Sequence, residues 1–535
     1  MGRSHLLLDV EIGGTVYRIS DDALDVDDAT GGHVLAYSPG LDGLSVTAAL
    51  EFLSPTAGAS SVPVQCVFPA DLAALRATGL TLARAQCSLA LWYEGDDYSA
   101  RTPLASGEAS DPEYGEEGEP TAFSIERAAR TSTAEVPGAT EQVDGITWPA
   151  GILTLATDEL GLVYPRIYGA PGNGSSIPGS QGVWIDHSKT AHAGGFYSGL
   201  ELMIAGHAVT ADTIRLSTDA TASGFEFKVH HQLDALGRLI AFVDAYYDSD
   251  RTTWSSGTVY GLGNDVVDES FQPDSGVYKP VFCSWRYGEG LSPAAGDVIS
   301  DLLQLQGFPV DYGRMAAATS MLSAYRFDCA IDARIKPMDW LSGNVLPLLP
   351  VSLRDGPDGL FLLVWRYDAT REDATARVDA DADPALFRAG PVREDTSEIA
   401  NRFSLNYRYS VRTGAYTETL TRGTDESPDA YCLASQVEFG VIERMIDTAN
   451  VYDQATGEAI LAWMARAYAG ARRRVAYVVP SSYALQLGDI VRLTDSRISL
   501  SDVLALVVEL QIDGTGTDGV EFLLISDSLR DPLEA

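Results

Sequence analysis

Lysine is nearly missing from this chain. There are four, and the 37 basic side chains face 75 acidic ones, for a net charge of −38. That balance excludes a Lys/Arg-coated surface, which would hold nucleic acid by counterion release. Disorder does not account for the acidity, because 45% of the residues are hydrophobic and they are patterned as in a folded protein. So much like charge opposes compaction, so either the surroundings screen it or a repelled partner makes it useful. The partner most sensitive to a negative wall is DNA, which would slide along an acidic lining without sticking. The bland alternative is a GC-rich coding sequence, suggested by the Arg excess with abundant Ala and Gly, and a salt-adapted source, which also fits the acidity with scarce Lys.

Cysteine is also scarce. Cys66, Cys87, Cys283, Cys329 and Cys432 are odd in number, far apart and in no CxxC or Cys/His spacing. They read as buried thiols of a reducing cytoplasm rather than a disulfide framework or a metal site. Long apolar runs are missing too. Pro347 and Pro350 break the stretch 345–353, and 360–365 has six residues, so no segment spans a bilayer. The three leucines between His5 and Val10 are too few for a signal peptide.

Local catalytic signatures are likewise lacking. There is no GxSxG, no GxxxxGK[ST], no HExxH and no strand-coupled GxGxxG. The Gly172–Gly182 stretch has no Lys and no helical pattern behind it, so it reads as a flexible loop. His187 and His192 stand five apart beside Asp186, and His230 and His231 are consecutive. A metal or acid/base site there competes with solvated or core-satisfied histidines, and the second reading is preferred because consecutive strand residues point to opposite faces. No His follows position 231. Paired carboxylates of the glycosidase kind are not excluded, because acids occur everywhere. Glu116, Glu117 and Glu119 read as a solvated loop, and Tyr246, Tyr247 and Trp254 as a β-core edge rather than a sugar platform. No catalytic residue, metal ligand or cofactor site is assigned.

What the chain does have is strand alternation. Its 535 residues exceed one ordinary core. Residues 1–128 carry strand patterns at Leu6–Val10, Thr15–Ile19, Leu44–Leu53, Val62–Phe68, Ala83–Tyr93 and Thr121–Glu126. One short helix interrupts them, capped by Asp71, with Leu72 and Leu75 on its apolar face and Gly79 as terminator. The acidic run Asp111–Pro120 reads as an exposed loop or inter-strand excursion. Residues 129–290 are rich in Gly, Ser and Thr and suggest short strands and long loops. From Ser292 the pattern predicts a helix over 293–306, with Ser292 as cap, Pro293 first and Gly307 as terminator. A helix over Pro337–Leu349 and a hairpin of Val351–Arg354 with Leu360–Trp365 complete an α+β module over 291–395, in which Asp368–Asp395 reads as a surface crossing.

Residues 396–535 return to alternation. Ile399–Tyr409 reads as a strand and Glu458–Ala471 as an amphipathic helix with Ile460, Met464, Ala467 and Ala471 on one face. Arg472, Arg473 and Arg474 then favour the end of its dipole. Strands follow at Val475–Val479, Ile490–Leu493, Val503–Ile512 and Val520–Ile525, with turns at Gly488-Asp489 and Gly514–Gly519. The expected fold is mainly β with α+β modules and multidomain, with two tube-like β-barrel domains, each with one helix, and inserted domains. Its divisions are 1–128, 129–290, 291–395 and 396–535.

Particular runs carry a resemblance. Tyr37-Ser-Pro-Gly-Leu41, Gly107 through Pro112-Glu-Tyr-Gly115, Gly118-Glu-Pro-Thr-Ala-Phe-Ser-Ile-Glu126, Thr147-Trp-Pro149 and Tyr164-Pro-Arg-Ile-Tyr-Gly-Ala-Pro-Gly172 resemble the tail hub proteins of long-tailed bacteriophages and gene transfer agents. The helices at 293–306 and 458–471 and Leu487-Gly-Asp-Ile-Val-Arg-Leu493 are similar to the second tube-like half of such hubs. The resemblance implies a structural virion protein at the tail tip, made in the host cytoplasm, without enzymatic activity or cofactor. It implies a homotrimer whose two tube-like domains per chain make a pseudo-sixfold ring, adapting a hexameric tail tube to a threefold tip. DNA would pass through without specific binding. Implied partners are a distal tail ring, central tip, fibre or spike proteins, and a tape measure protein. Two alternatives stay open: a baseplate-borne glycan hydrolase, and a hub whose residues 129–290 form a receptor- or carbohydrate-binding insertion.

Overall fold

The computed structural model describes residues 3–28, 33–41, 46–49, 61–114, 119–126, 134–148, 160–172, 177–181, 183–185, 200–209, 214–218, 227–245, 281–285, 291–356, 359–512 and 517–525. The chain is mainly β with α+β modules, divided among several sheets.

The first unit holds β1 (Ser4–Ile12), β2 (Thr15–Ser20), β3 (Leu24–Asp28), β4 (His33–Pro39), β5 (Val46–Ala49), β6 (Ser61–Cys66), α1 (Leu72–Ala77), β7 (Gln86–Tyr93), β8 (Thr102–Ala109) and β9 (Thr121–Glu126). Eight strands form one sheet in the order β3–β4–β2–β1–β7–β8–β9–β6. Alternation in β1 sends Leu6, Leu8, Val10 and Ile12 into the main core, while Leu7 is buried on the opposite face against Val26, Tyr37 and Trp92. Past β4 the ring closes: Leu41 bridges Cys66, and Val67 donates its N–H to Gly40 at 2.8 Å. A Cβ at Gly40 would lie 2.4 Å from the Val67 carbonyl oxygen, so the closure needs glycine there.

The helix α1 forms as expected. Asp71 accepts from the N–H groups of Ala73 and Ala74 at 2.9 and 3.0 Å, and Gly79 (φ +84°) and Leu80 bond back to Arg76 and Leu75. The strands β3, β4 and β8 were not expected. Leu24-Asp-Val-Asp-Asp looks like a loop because acids disfavour strands, but β3 is an edge strand that leaves Asp25 and Asp27 in water and buries only Val26. Of the acidic loop, Glu113 pairs with Ala122 and Arg76 lies over the Tyr114 ring at 4.1 Å, so it is an excursion between strands.

The next segment supplies β10 (Arg166–Tyr168), β11 (Ser180–Gln181), β12 (Val183–Ile185), β13 (Leu200–Ala205), β14 (Ile214–Thr218), β15 (Phe227–Leu233), β16 (Leu239–Ala245) and β17 (Val281–Trp285). Two antiparallel sheets result, β12–β13–β16–β15 and β11–β17–β14. A small core gathers Val143, Trp148, Tyr164, Met203, Ile240 and Phe242, with Trp148 edge-on to Phe242 at 5.6 Å.

The α+β layer begins with α2 (Ala295–Leu305), α3 (Tyr312–Met321), β18 (Cys329–Ile331), α4 (Pro337–Asn344), β19 (Val351–Gly356) and β20 (Gly359–Val364). The helix α2 starts two residues later than expected, and Ser292 is not its cap. Ala294 pairs with Arg326, and Phe327 donates to the Pro293 carbonyl at 2.8 Å, which holds the chain extended through 294. Ser292 instead donates to Asp297 at 2.6 Å. Gly307 ends α2 at φ +88° as expected. The helix read over 337–349 stops at Asn344, because Pro347 has no N–H to donate to the Gly343 carbonyl, and a 3₁₀ turn spans Leu346–Leu348. β10 pairs with β18 and so ties the preceding segment to this layer.

Asp368–Asp395 is more than a crossing, for it contains β21 (Ala376–Asp379), β22 (Phe387–Arg388) and β23 (Arg393–Asp395). After it come β24 (Arg402–Ser410), β25 (Ala415–Arg422), α5 (Ala430–Phe439), β26 (Glu443–Asp447), α6 (Gln454–Tyr468), β27 (Arg472–Pro480), β28 (Ile490–Asp495), β29 (Leu500–Ile512) and β30 (Thr517–Leu524). The second large sheet runs β21–β28–β29–β30–β27–β22, with β23 also on β27, and a small sheet runs β25–β24–β26. Asp453 caps α6 by accepting from Thr456 at 3.0 Å. Its Ile460, Met464 and Ala467 join the core of the α+β layer, whereas Ala471 lies beyond its end. Arg472, Arg473 and Arg474 are not helix-end cations. They open β27 and pair with Asp395, Glu394 and Glu521 at 2.7, 2.7 and 3.2 Å on the flanking strands.

Candidate functional site: the seam between two β units

The strand read over 44–53 is described as β5 over Val46–Ala49, and it does not join its own sheet. It pairs antiparallel with β29, Val46 opposite Ile512 and Ala49 opposite Glu509. At 13 residues β29 outlasts the six of β28, which pairs with it only as far as Leu506. Beyond that point the same edge is taken by β5, and the main-chain groups left over by one unit are satisfied by the other.

Side chains follow the backbone. Leu6, Val10, Leu89, Phe123 and Ile125 of the first unit share one continuous core with Val475, Tyr477, Leu493, Val507 and Phe522 of the second. Tyr93 of β7 donates its hydroxyl to the Ser481 carbonyl at 2.9 Å, and the Ser481 hydroxyl donates to buried Asp518 at 3.0 Å. Burial, helped by Asp518 and Asp96, pushes the Tyr93 hydroxyl up to about 12, so it stays a donor at any physiological pH. The two β units are therefore joined by a strand pair, a shared core and a cross-unit hydrogen bond.

Few of the residues singled out for chemistry fall among the described residues. His187, His192, Tyr246, Tyr247, Trp254, Glu116, Glu117 and the His230 side chain lie outside the described residues. His5 sits 3.0 Å from Asp21, and His231 accepts from the Val209 N–H at 3.0 Å. In the Gly172–Gly182 stretch, Gly172 (φ +75°) and Gly179 cross so closely that a Cβ on Gly172 would lie 2.4 Å from the Gly179 nitrogen. Among the described residues, no three His, Cys, Asp or Glu side chains are placed to hold a metal ion. All five cysteines are buried, and burial pushes Cys66, Cys87 and Cys432 up to about 12. A cleft of about 350 Å³ between α3, the end of β20 and α6 is lined by Tyr325, Trp365, Tyr367 and Trp463.

One titratable cluster ties the middle segment to α2. Arg166 forms a two-pronged bond with Asp301 at 2.8 and 3.1 Å, Tyr168 donates to Asp301 at 2.5 Å, and Ile167 donates its N–H to His207 Nε2 at 3.0 Å. His207 Nδ1 then donates to the Ala208 carbonyl at 2.9 Å. Burial first, and Arg166 next among the lowering causes, hold His207 below its ordinary value, while the Ala208 carbonyl and Asp301 oppose them. Its neutral ring stabilises the fold above the unfolded value of about 6.5, and that contribution is lost as pH falls through the lower folded value. The protection factor of the Ile167 amide, taken against the intrinsic exchange rate at each pH, should therefore fall between pH 7 and pH 5, and His207→Phe should abolish that pH dependence.

No family model and no curated protein matches the chain. It is similar to the 43 kDa tail protein of prophage MuSo2 from Shewanella oneidensis, at 8% identity over 98% of this chain and 99% of that one, with a TM-score of 0.37. It is similar to a tail protein from Neisseria meningitidis MC58, at 9% identity over 99% of both chains and a TM-score of 0.38. A chain of the virion of a native gene transfer agent particle is 12% identical over 74% of this chain and 91% of that one, with a TM-score of 0.38.

Proposed function

We propose that this chain is a structural component of a phage-like tail, a hub that closes as a homotrimer around the tail axis and lines an acidic conduit for DNA. The observation that carries this reading is the seam. Two sheet-rich units fused through β5, β29 and one core behave as neighbouring segments of a tube wall, so three chains supply six such segments. In this reading residues 1–128 and 396–535 are the wall, 291–395 braces it, and 129–290 is an insertion or second hub domain. The charge of −38 per chain then has a use, since an acidic bore repels phosphates and keeps the genome from adsorbing. Folded wall segments leave two rims, one for a distal tail ring and the other for central tip, fibre or spike proteins, with a tape measure protein in the bore.

The test is the mass of the purified chain by light scattering, followed by an averaged image of the assembled particle. Three times 57.2 kDa and a ring on the tail axis are expected. A molecule that stays monomeric, or a position away from the axis, overturns the reading.

A further inference from the structure

Five exposed apolar side chains fall between Leu433 and Met445. The helix α5 turns Cys432 and Ser435 inward and leaves Leu433 and Val437, one turn apart, in water, Val437 at 89% exposure. Exposed Val441 and Ile442 lead into β26, where Met445 is 66% exposed. Among the described residues β26 pairs with β24 alone and so is an edge of its sheet. In a parallel pair alternate residues turn their main-chain groups to the neighbour. The Ile442 carbonyl accepts from Asn401 and Arg402, and Thr448 donates to Asn406. The groups of Glu443, Met445 and Asp447 therefore point outward. An uncovered edge carrying apolar side chains is a surface that other strands pair with. Its rim is acidic: Glu438, Glu443 and Asp447 are exposed, while Arg444 is folded over the Tyr468 ring at 4.4 Å.

A second bare edge on the same chain has the opposite character. β22 ends the large sheet and, among the described residues, pairs only with β27. Its Phe387 is 54% exposed beside exposed Arg388, which has no carboxylate partner among the described residues, and the Arg393 side chain on β23, 3.7 Å from Glu521, is still 76% exposed. A chain with a charge of −38 repels a copy of itself over most of its surface. These two edges are complementary: an apolar strand rimmed with acids, and an aromatic strand beside Arg388 and Arg393, the acids of β23, Glu394 and Asp395, being paired with Arg473 and Arg472.

We infer that the β26–α5 edge is the surface on which a second copy of this chain docks its β22–β23 edge. The contact joins two different patches, the heterologous kind that closes rings. The inference rests on the trimeric reading and adds a contact between neighbouring chains beside the joint of residues 396–535 with 1–128 that the six-segment wall itself requires.

The experiment is sedimentation of the full-length chain over a range of concentrations, with circular dichroism confirming the fold of each variant. Val437→Asp, Met445→Asp and the pair R388E/R393E should each weaken self-association by about tenfold or more. Glu443→Arg alone should weaken it, and Glu443→Arg combined with Arg393→Glu should recover it, because the exchanged charges again face each other. The variants replace exposed side chains, so an unchanged spectrum with lost association supports the docking surface. If the wild type associates and every variant associates equally well, the surface is wrong and the ring survives. If the wild type stays monomeric throughout, the ring and the surface both fall.

Discussion

Phe522→Ala should destabilise both β units together, by about 3–5 kcal/mol, the usual cost of removing a buried phenyl ring. Phe522 is wholly buried on β30 and meets Tyr477 nearly edge-on at 6.0 Å. Its neighbours in the core come from both ends of the chain, Leu89 and Ile125 as well as Val475 and Val507. A cavity there loosens the seam from inside, and β5 cannot hold its place on β29 once the core beneath it relaxes. Calorimetry checks this through a matched variant. Leu89→Ala, on the other unit, should cost about 2–5 kcal/mol and shift the same transition. If the two variants moved two different transitions, the units would be independent and the shared core would carry no cooperativity.

The parts of this architecture legible in the sequence are those whose cause is local. Asp71 and Gly79 bracket α1 because capping is decided within a few residues. Most strands of the last sheet were legible because alternation is a local signal as well. The seam was not. Residues 46–49 and 509–512 each read as strand, yet nothing in either segment states that they pair with each other across more than 450 positions. The same holds for Arg472, Arg473 and Arg474. A helix end explains three arginines from sequence alone, whereas their partners Asp395, Glu394 and Glu521 are brought alongside only by the sheet. β3 was hidden for a different reason, since an edge strand tolerates acids that a central strand would reject.

Trp463→Ala should act elsewhere, and the contrast separates the two cores. Trp463 is buried on α6, its Nε1–H donates to the Leu348 carbonyl at 2.9 Å, and its ring lies 6.0 Å from that of Tyr468. Truncation opens a large cavity and strands a buried carbonyl, so a loss of about 3–5 kcal/mol or slightly more is expected. The cluster it belongs to runs from Val136 to Ala469 and contains no residue of the first β unit. Hydrogen exchange should therefore show protection falling in α2, α4, α6 and the β19–β20 hairpin, while amides of β1, β7 and β29 keep theirs. One bridge between the layers is the patch where Leu363 and Trp365 pack on Leu504, Leu506 and Leu523. If β29 and β30 lost protection as fully as α6, that patch would be transmitting the damage, and the wall and its brace would unfold as one body rather than two.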